Sequence, residues 1–165
     1  TAAPSHRAFV GLGSNLEDPA AQVRSGIADL AALAHIRVVR HSIVYRSKPV
    51  GYAEQPDFAN AVAELETRLA PRPLLRELLH IEQRHGRVRS IRNGPRTLDC
   101  DLLLHDDCIM TGPELILPHP RMHERAFVLV PLHDLAPELE IPGRGRVASL
   151  LARVDASEVV PWERA

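Results

Sequence analysis

Residues 8–13 (AFVGLG) form a short apolar run ending in Gly-x-Gly, the pattern of a buried strand entering a tight turn. Asp18-Pro19 follows, an N-cap residue with Pro at the first helical position. Val23, Ile27, Leu30, Ala31 and Ala34 then recur at helical spacing and predict a helix to about His35. β-Branched residues dominate 36–45 (IRVVRHSIVY), which suits a strand. Two prolines and a glycine make 46–57 (RSKPVGYAEQPD) a loop, long enough to be a lid or binding loop.

Alternation returns at 58–67 (FANAVAELET). Phe58, Asn60, Val62 and Glu64 share one face of a strand, and Ala59, Ala61, Ala63 and Leu65 the other. Pro71 and Pro73 open a second helix with Leu74, Leu75, Leu78, Leu79 and Ile81 apolar, ending near His85 with Gly86 past its end. Residues 87–97 are a basic loop and 98–104 (LDCDLLL) a strand. A turn-rich stretch leads to LPHPRMHERAF (117–127), an apolar helix-like run to Leu135, a short strand near 138–142 and an amphipathic helix near 147–154. The order βαββαβ plus C-terminal additions fits a ferredoxin-like α+β sandwich, an antiparallel sheet with helices packed on it, better than a doubly wound sheet.

Composition narrows the class. The 165 residues, 45% apolar and 25% charged, suit a single globular domain over 1–165 rather than a disordered or fibrous chain. No run approaches the roughly 18 apolar residues of a membrane span. The first residues do not resemble a signal peptide. Cys100 and Cys108 lack CxxC spacing, so free thiols in a reducing cytoplasm are expected. The net charge of −1 argues against a nucleic-acid binder.

Candidate chemistry centres on Asp99 and Asp101. Two apart in a strand, their carboxylates share a face, with Cys100 and Leu102 opposite. Asp disfavours strands and like charges repel, so a hard divalent cation such as Mg²⁺ between them is one reading. A solvated edge face with an Arg partner such as Arg96 is the other. Arg84, Arg87, Arg89, Arg92 and Arg96 precede the pair. Arg84 fits a surface residue, whereas the loop arginines beside a carboxylate–metal site have the parts for polyphosphate chemistry. GLGSNL lacks both the third glycine of a dinucleotide fingerprint and the GK[ST] of a P-loop. Pro118 and Pro120 flank His119, so His119 and His123 do not form a helical zinc pair, and His119 suits a phosphate hydrogen-bond donor. The remaining histidines show no pattern and are taken as structural.

At GPRTLDCDLLL (94–104) the chain closely resembles the 6-hydroxymethyl-7,8-dihydropterin pyrophosphokinase family of folate biosynthesis. GLGSNL (11–16), YRSKPVGYAEQPDFANAV (45–62), LLRELLHIEQRHGRVR (74–89) and LPHPRMHERAFVLVPLHDLAPEL (117–139) agree in order and spacing. The resemblance implies transfer of pyrophosphate from ATP to the pterin hydroxymethyl group, with AMP released and two Mg²⁺ ions on the triphosphate. It implies that Asp99 and Asp101 hold the metal, with Arg87 and Arg96 also catalytic. Glu82, Arg87, Arg89, Arg96, His119 and Arg125 would surround ATP. Ser47, Lys48, Val50, Phe58, Asn60 and Phe127 would form the pterin pocket. The implied partners are these two small molecules, without nucleic acid, membrane or obligate protein partner. Asn93 stands where many members carry Trp, Lys48 where Pro is frequent, and Phe58 and Pro120 where Tyr is frequent, so altered loop behaviour is expected. Two other readings of the Asp–Arg constellation are a ferredoxin-like nucleotidyltransferase, which would release pyrophosphate, and an Arg-loop anion- or RNA-binding module.

Overall fold

The computed structural model describes residues 5–16, 18–49, 54–86 and 97–162. Strand β1 (His6–Ser14) leads to α1 (Pro19–Ala32), β2 (Ile36–His41), β3 (Tyr45–Ser47), β4 (Phe58–Thr67), α2 (Pro71–Arg84) and β5 (Asp99–His105). A small hairpin, β6 (Met110–Thr111) and β7 (Ile116–Leu117), precedes a 3-10 turn (Met122–Glu124) and α3 (Ala126–Leu135). Another hairpin, β8 (Glu140–Ile141) and β9 (Gly145–Arg146), runs into α4 (Val147–Leu151), and β10 (Val160–Pro161) ends the series. The local signals act as expected at both long helices. The Asp18 carboxylate accepts the Ala21 N–H at 3.4 Å with Pro19 in the first turn. Gly86, at φ +71°, follows the end of α2 in a conformation that favours glycine.

The main sheet runs β10-β3-β4-β1-β5, with β2 also on β4, and every pairing is antiparallel. The fold is therefore α+β with the strand order of a ferredoxin-like sandwich. The run 36–45 is two strands rather than one. The Ser42 N–H donates to the Val62 carbonyl at 2.8 Å, while the Ser42 hydroxyl, not its carbonyl, accepts the Val62 N–H at 3.0 Å. A side chain standing in for the ladder acceptor lets the backbone leave the sheet and re-enter at Tyr45. The helix near 147–154 is shorter than its pattern, ending at Leu151.

The sheet is apolar on both faces. Val23, Ile27 and Leu30 of α1 and Leu74, Leu78 and Ile81 of α2 cover one, against Val10, Leu12, Ala63, Leu65, Cys100 and Leu102. Leu129 and Leu132 of α3 and Val147 and Leu150 of α4 cover part of the other, against Phe9, Val62 and Leu103. Where α3 and α4 stop, the second face stays open.

Charge fixes the register of three strands. Glu64 on β4, buried, accepts from Arg7 of β1 at 2.9 Å and Arg40 of β2 at 2.8 Å. Burial would raise its pKa, but the two guanidinium hydrogen bonds outweigh that and hold it below the ordinary value. A depressed carboxylate stabilises the fold above its unfolded pKa, and that stability is lost as pH falls through the folded value. Glu64→Gln should therefore lower unfolding stability by about 2 kcal/mol at pH 7. In urea titrations the gap to the parent should narrow steadily below pH 4.5; a gap independent of pH would refute the ion-pair account.

Candidate active site

The open part of the second face is built on three strands in register. Asp101 lies opposite Gly11 and Asp99 opposite Gly13. Across β1, Gly11 lies opposite Val62 and Gly13 opposite Asn60. Two rows result, Asp99–Gly13–Asn60 and Asp101–Gly11–Val62. Strand spacing sets Asp99 and Asn60 about 10 Å apart. The glycines are inside β1 rather than at a tight turn, contrary to the expectation for GLG. A Cβ at Gly13 would meet Asn60 Oδ1 at 3.3 Å, so glycine keeps the floor flat between the carboxylates and the amide.

Strand β5 alternates as its spacing predicts: Asp99 and Asp101 are half-buried, Cys100 and Leu102 buried. Among the described residues no strand pairs with the outer side of β5. Glu82 of α2, 2% exposed, supplies what a strand would: its Oε2 accepts the Cys100 N–H at 2.8 Å. The backbone unit between the two aspartates is thus held by a buried carboxylate.

Asn60 is held from the other side. Its Nδ2 donates to Ser47 Oγ at 2.6 Å, and both residues are buried. The Tyr45 hydroxyl donates to the Asp134 carboxylate, tying β3 to α3. Burial, then the hydrogen bond and charge of Asp134, push the Tyr45 pKa up to about 12. Asn15 Nδ2 donates to Gln55 Oε1 at 2.7 Å and to the Pro56 carbonyl at 3.1 Å, fastening the end of β1 to the approach to β4.

A cavity of about 400 Å³ joins these parts; Ser47, Lys48, Phe58, Asn60, Asp99, Asp101, Arg125 and Phe127 all line it. Arg125 sits 5.5 Å from the Phe127 ring centroid, a cation–π distance. His119 is within electrostatic reach of Asp99, Arg125 and Arg121. Burial, then the Arg125 charge, bring its pKa down to about 4 against the opposing pull of Asp99. The imidazole is therefore neutral at pH 7, able to donate one N–H and accept at the other nitrogen. His119→Gln should leave the shape of the pH–activity profile unchanged between pH 5 and 8; loss of a limb near pH 6 would contradict a neutral His119.

A sequence model of the 7,8-dihydro-6-hydroxymethylpterin-pyrophosphokinase family matches residues 9–137. The 2-amino-4-hydroxy-6-hydroxymethyldihydropteridine pyrophosphokinase of Pseudomonas aeruginosa is 47% identical over 146 residues, covering 88% of this chain and 90% of that protein. The chain belongs to this pyrophosphokinase family. The Haemophilus influenzae relative of the same name is 43% identical over 144 residues, with 87% and 90% covered. Among solved structures, wild-type Plasmodium falciparum HPPK-DHPS with pteroate superposes with a TM-score of 0.71 at 14% identity. That match covers 91% of this chain but only 42% of the other, and at this identity it shows the fold alone.

Of the residues expected at the site of this pyrophosphokinase-family chain, eight line the cavity. Glu82 lies beneath β5 and His119 beside Asp99. Arg87, Arg89, Arg96, Val50 and Asn93 are outside the described residues. Sequence reasoning missed Gly11 and Gly13 as cavity floor and Arg121, Glu124, Asp155 and Glu158 as lining. The two C-terminal acids arrive because β10 pairs with β3, Val160 opposite Arg46. The Arg46 guanidinium lies 3.9 Å over the Trp162 ring, and the Trp162 N–H donates to the Val44 carbonyl at 2.9 Å.

Proposed function

We propose that this cavity binds ATP over the β5 aspartates and the pterin over β4, for transfer of pyrophosphate from ATP to the hydroxymethyl group of 6-hydroxymethyl-7,8-dihydropterin with AMP as second product. The observation that carries the reading is the in-register row Asp99–Gly13–Asn60. It sets Asp99, with Asp101 next on the same strand face, and a buried amide on one flat floor, about 10 Å apart.

The chain's own groups divide the work. Asn60, fixed by Ser47, presents its amide to the ring edge, and Phe58 and Phe127 offer apolar surface to the ring faces. Arg125 places positive charge beside the phosphates, and neutral His119 donates a hydrogen bond rather than a charge. By the family resemblance, Arg87, Arg89 and Arg96 would contribute further guanidinium groups to the phosphates, and Val50 would join Lys48 in the pterin pocket. Asp99 and Asp101 suit magnesium: two oxygen donors on one strand face, half-buried and opposite glycines that leave room for an ion. When bound, two magnesium ions would neutralise charge on the transferring phosphates. Glu82 keeps the backbone between the two aspartates in place. Positioning of the hydroxyl against the β-phosphorus then carries much of the rate.

Among the described residues no helix is long and apolar enough to cross a membrane. A cytoplasmic enzyme meeting only small-molecule substrates fits the two free cysteines, Cys100 and Cys108. The test is a turnover assay with ATP, Mg²⁺ and the pterin that resolves AMP, ADP and pyrophosphate. AMP formed only with pterin and Mg²⁺ together is the expected result; free pyrophosphate instead would mark a nucleotidyltransferase.

A further inference from the structure

The far end of the same sheet carries a second group of polar residues that pyrophosphate transfer does not use. His6 begins β1 and His105 ends β5, next to Asp106 in the turn that follows. Six residues of strand separate His105 from Asp99, about 20 Å along β5. The backbone there is tightly laced: the Asp106 N–H donates to the Arg7 carbonyl at 2.7 Å, and the Arg7 N–H to Asp106 Oδ1 at 2.8 Å. His6 Nδ1 lies 2.7 Å from Asp106 Oδ2, and the His6 and His105 ring centroids are 4.7 Å apart. One donor atom from each of His6, His105 and Asp106 falls within 4.8 Å of the other two.

His105 decides how the group is interpreted. It is 1% exposed. Its Nε2 is 2.8 Å from the Leu69 carbonyl, which fixes the proton on that nitrogen. Nδ1 is therefore a lone pair, and it is buried with no hydrogen-bond partner. A His6–Asp106 hydrogen bond alone accounts for two of the three residues and leaves this lone pair unexplained. An imidazole whose one N–H is held by a backbone carbonyl while its other nitrogen is bare has the arrangement of a metal-ligating histidine.

We propose that His6, His105 and Asp106 form a binding site for a borderline divalent cation, with Zn²⁺ the best match. Two imidazoles and one carboxylate favour zinc, cobalt or nickel over magnesium or calcium, which prefer oxygen alone. His105 is the fixed ligand. His6 at the start of β1 and Asp106 in an exposed turn are the ones that close, bringing the donors to the roughly 3.3 Å separations of a tetrahedral zinc site. Solvent takes the remaining position on the open side. The Arg7 guanidinium, the nearest positive group in the sequence, is engaged by Glu64 and does not oppose the ion. The ion would clasp residues 100 positions apart, joining the start of β1 to the turn after β5.

Titration of the intact chain with Zn²⁺ against a competing chromophoric chelator, in excess Mg²⁺, tests this. The parent should bind one equivalent that is weakened tenfold or more by each of His6→Gln, Asp106→Asn and His105→Phe. Zn²⁺ should raise the Tm of the parent but not of Asp106→Asn. His6 and Asp106 are not buried, so those two variants carry the test should His105→Phe fail to fold. Pyrophosphate-transfer turnover of His6→Gln and Asp106→Asn should match the parent, since neither lines the cavity. Equal zinc affinity in His6→Gln, Asp106→Asn and the parent would overturn the site. So would a thiolate charge-transfer band with Co²⁺, which would assign the ion to Cys108 instead.

Discussion

Asp101→Asn should lower turnover roughly a thousandfold while the chain keeps its fold and its Tm within a few degrees. The substitution preserves size and most hydrogen bonding but removes one of two charges on the β5 face. The backbone of β5 is held by β1 and by Glu82, and the apolar side of the strand is untouched by the substitution. Asp99→Asn should cost as much, and the double variant little more than either, because two ligands of one ion cluster act as a unit. A single-turnover assay with saturating ATP and pterin, run at rising Mg²⁺, is the measurement. Turnover within tenfold of the parent at any Mg²⁺ concentration would mean the pair does not hold the metal.

That the aspartates share a face was legible without a structure, because strand geometry has a period of two and Asp99 and Asp101 are two apart. The start of α1 at Asp18-Pro19 and the end of α2 before Gly86 were legible for the same kind of reason, local chemistry at fixed offsets. Gly11 and Gly13 were not. A Gly-x-Gly in an apolar run looks the same whether the chain turns or goes straight on, and only the strands on both sides show what a Cβ would strike. The break at Ser42 was equally hidden, since it depends on a hydroxyl bonding to Val62, twenty residues away. Asp155 and Glu158 reach the cavity through a two-residue strand with no pattern of its own. His105 illustrates the limit most sharply: alone in an apolar run it is unremarkable, and its meaning comes from His6 at the other end of the main chain path.

Asn60→Ala should raise the KM for the pterin roughly a hundredfold and leave the KM for ATP within about threefold. The prediction follows from where the amide sits. Asn60 is 5% exposed and one of its N–H groups is committed to Ser47 Oγ, so the amide plane is fixed before any ligand arrives. A fixed donor and acceptor pair suits the edge of a pterin, whose own donors and acceptors lie in the ring plane. Removing it leaves a ligand edge buried without partners, a loss of one to two hydrogen bonds at about 1.4 kcal/mol each. Asn60→Ala also strips Ser47 of its bond, and about 1 kcal/mol of stability should go with it. Ser47→Ala separates the two effects: it frees the amide to rotate but keeps it, so it should weaken pterin binding by about tenfold only. Asp99 stands two strands away, about 10 Å off, so ATP binding has no reason to follow. If Asn60→Ala weakened ATP and pterin equally, the division of the floor into a phosphate end and a ring end would be wrong.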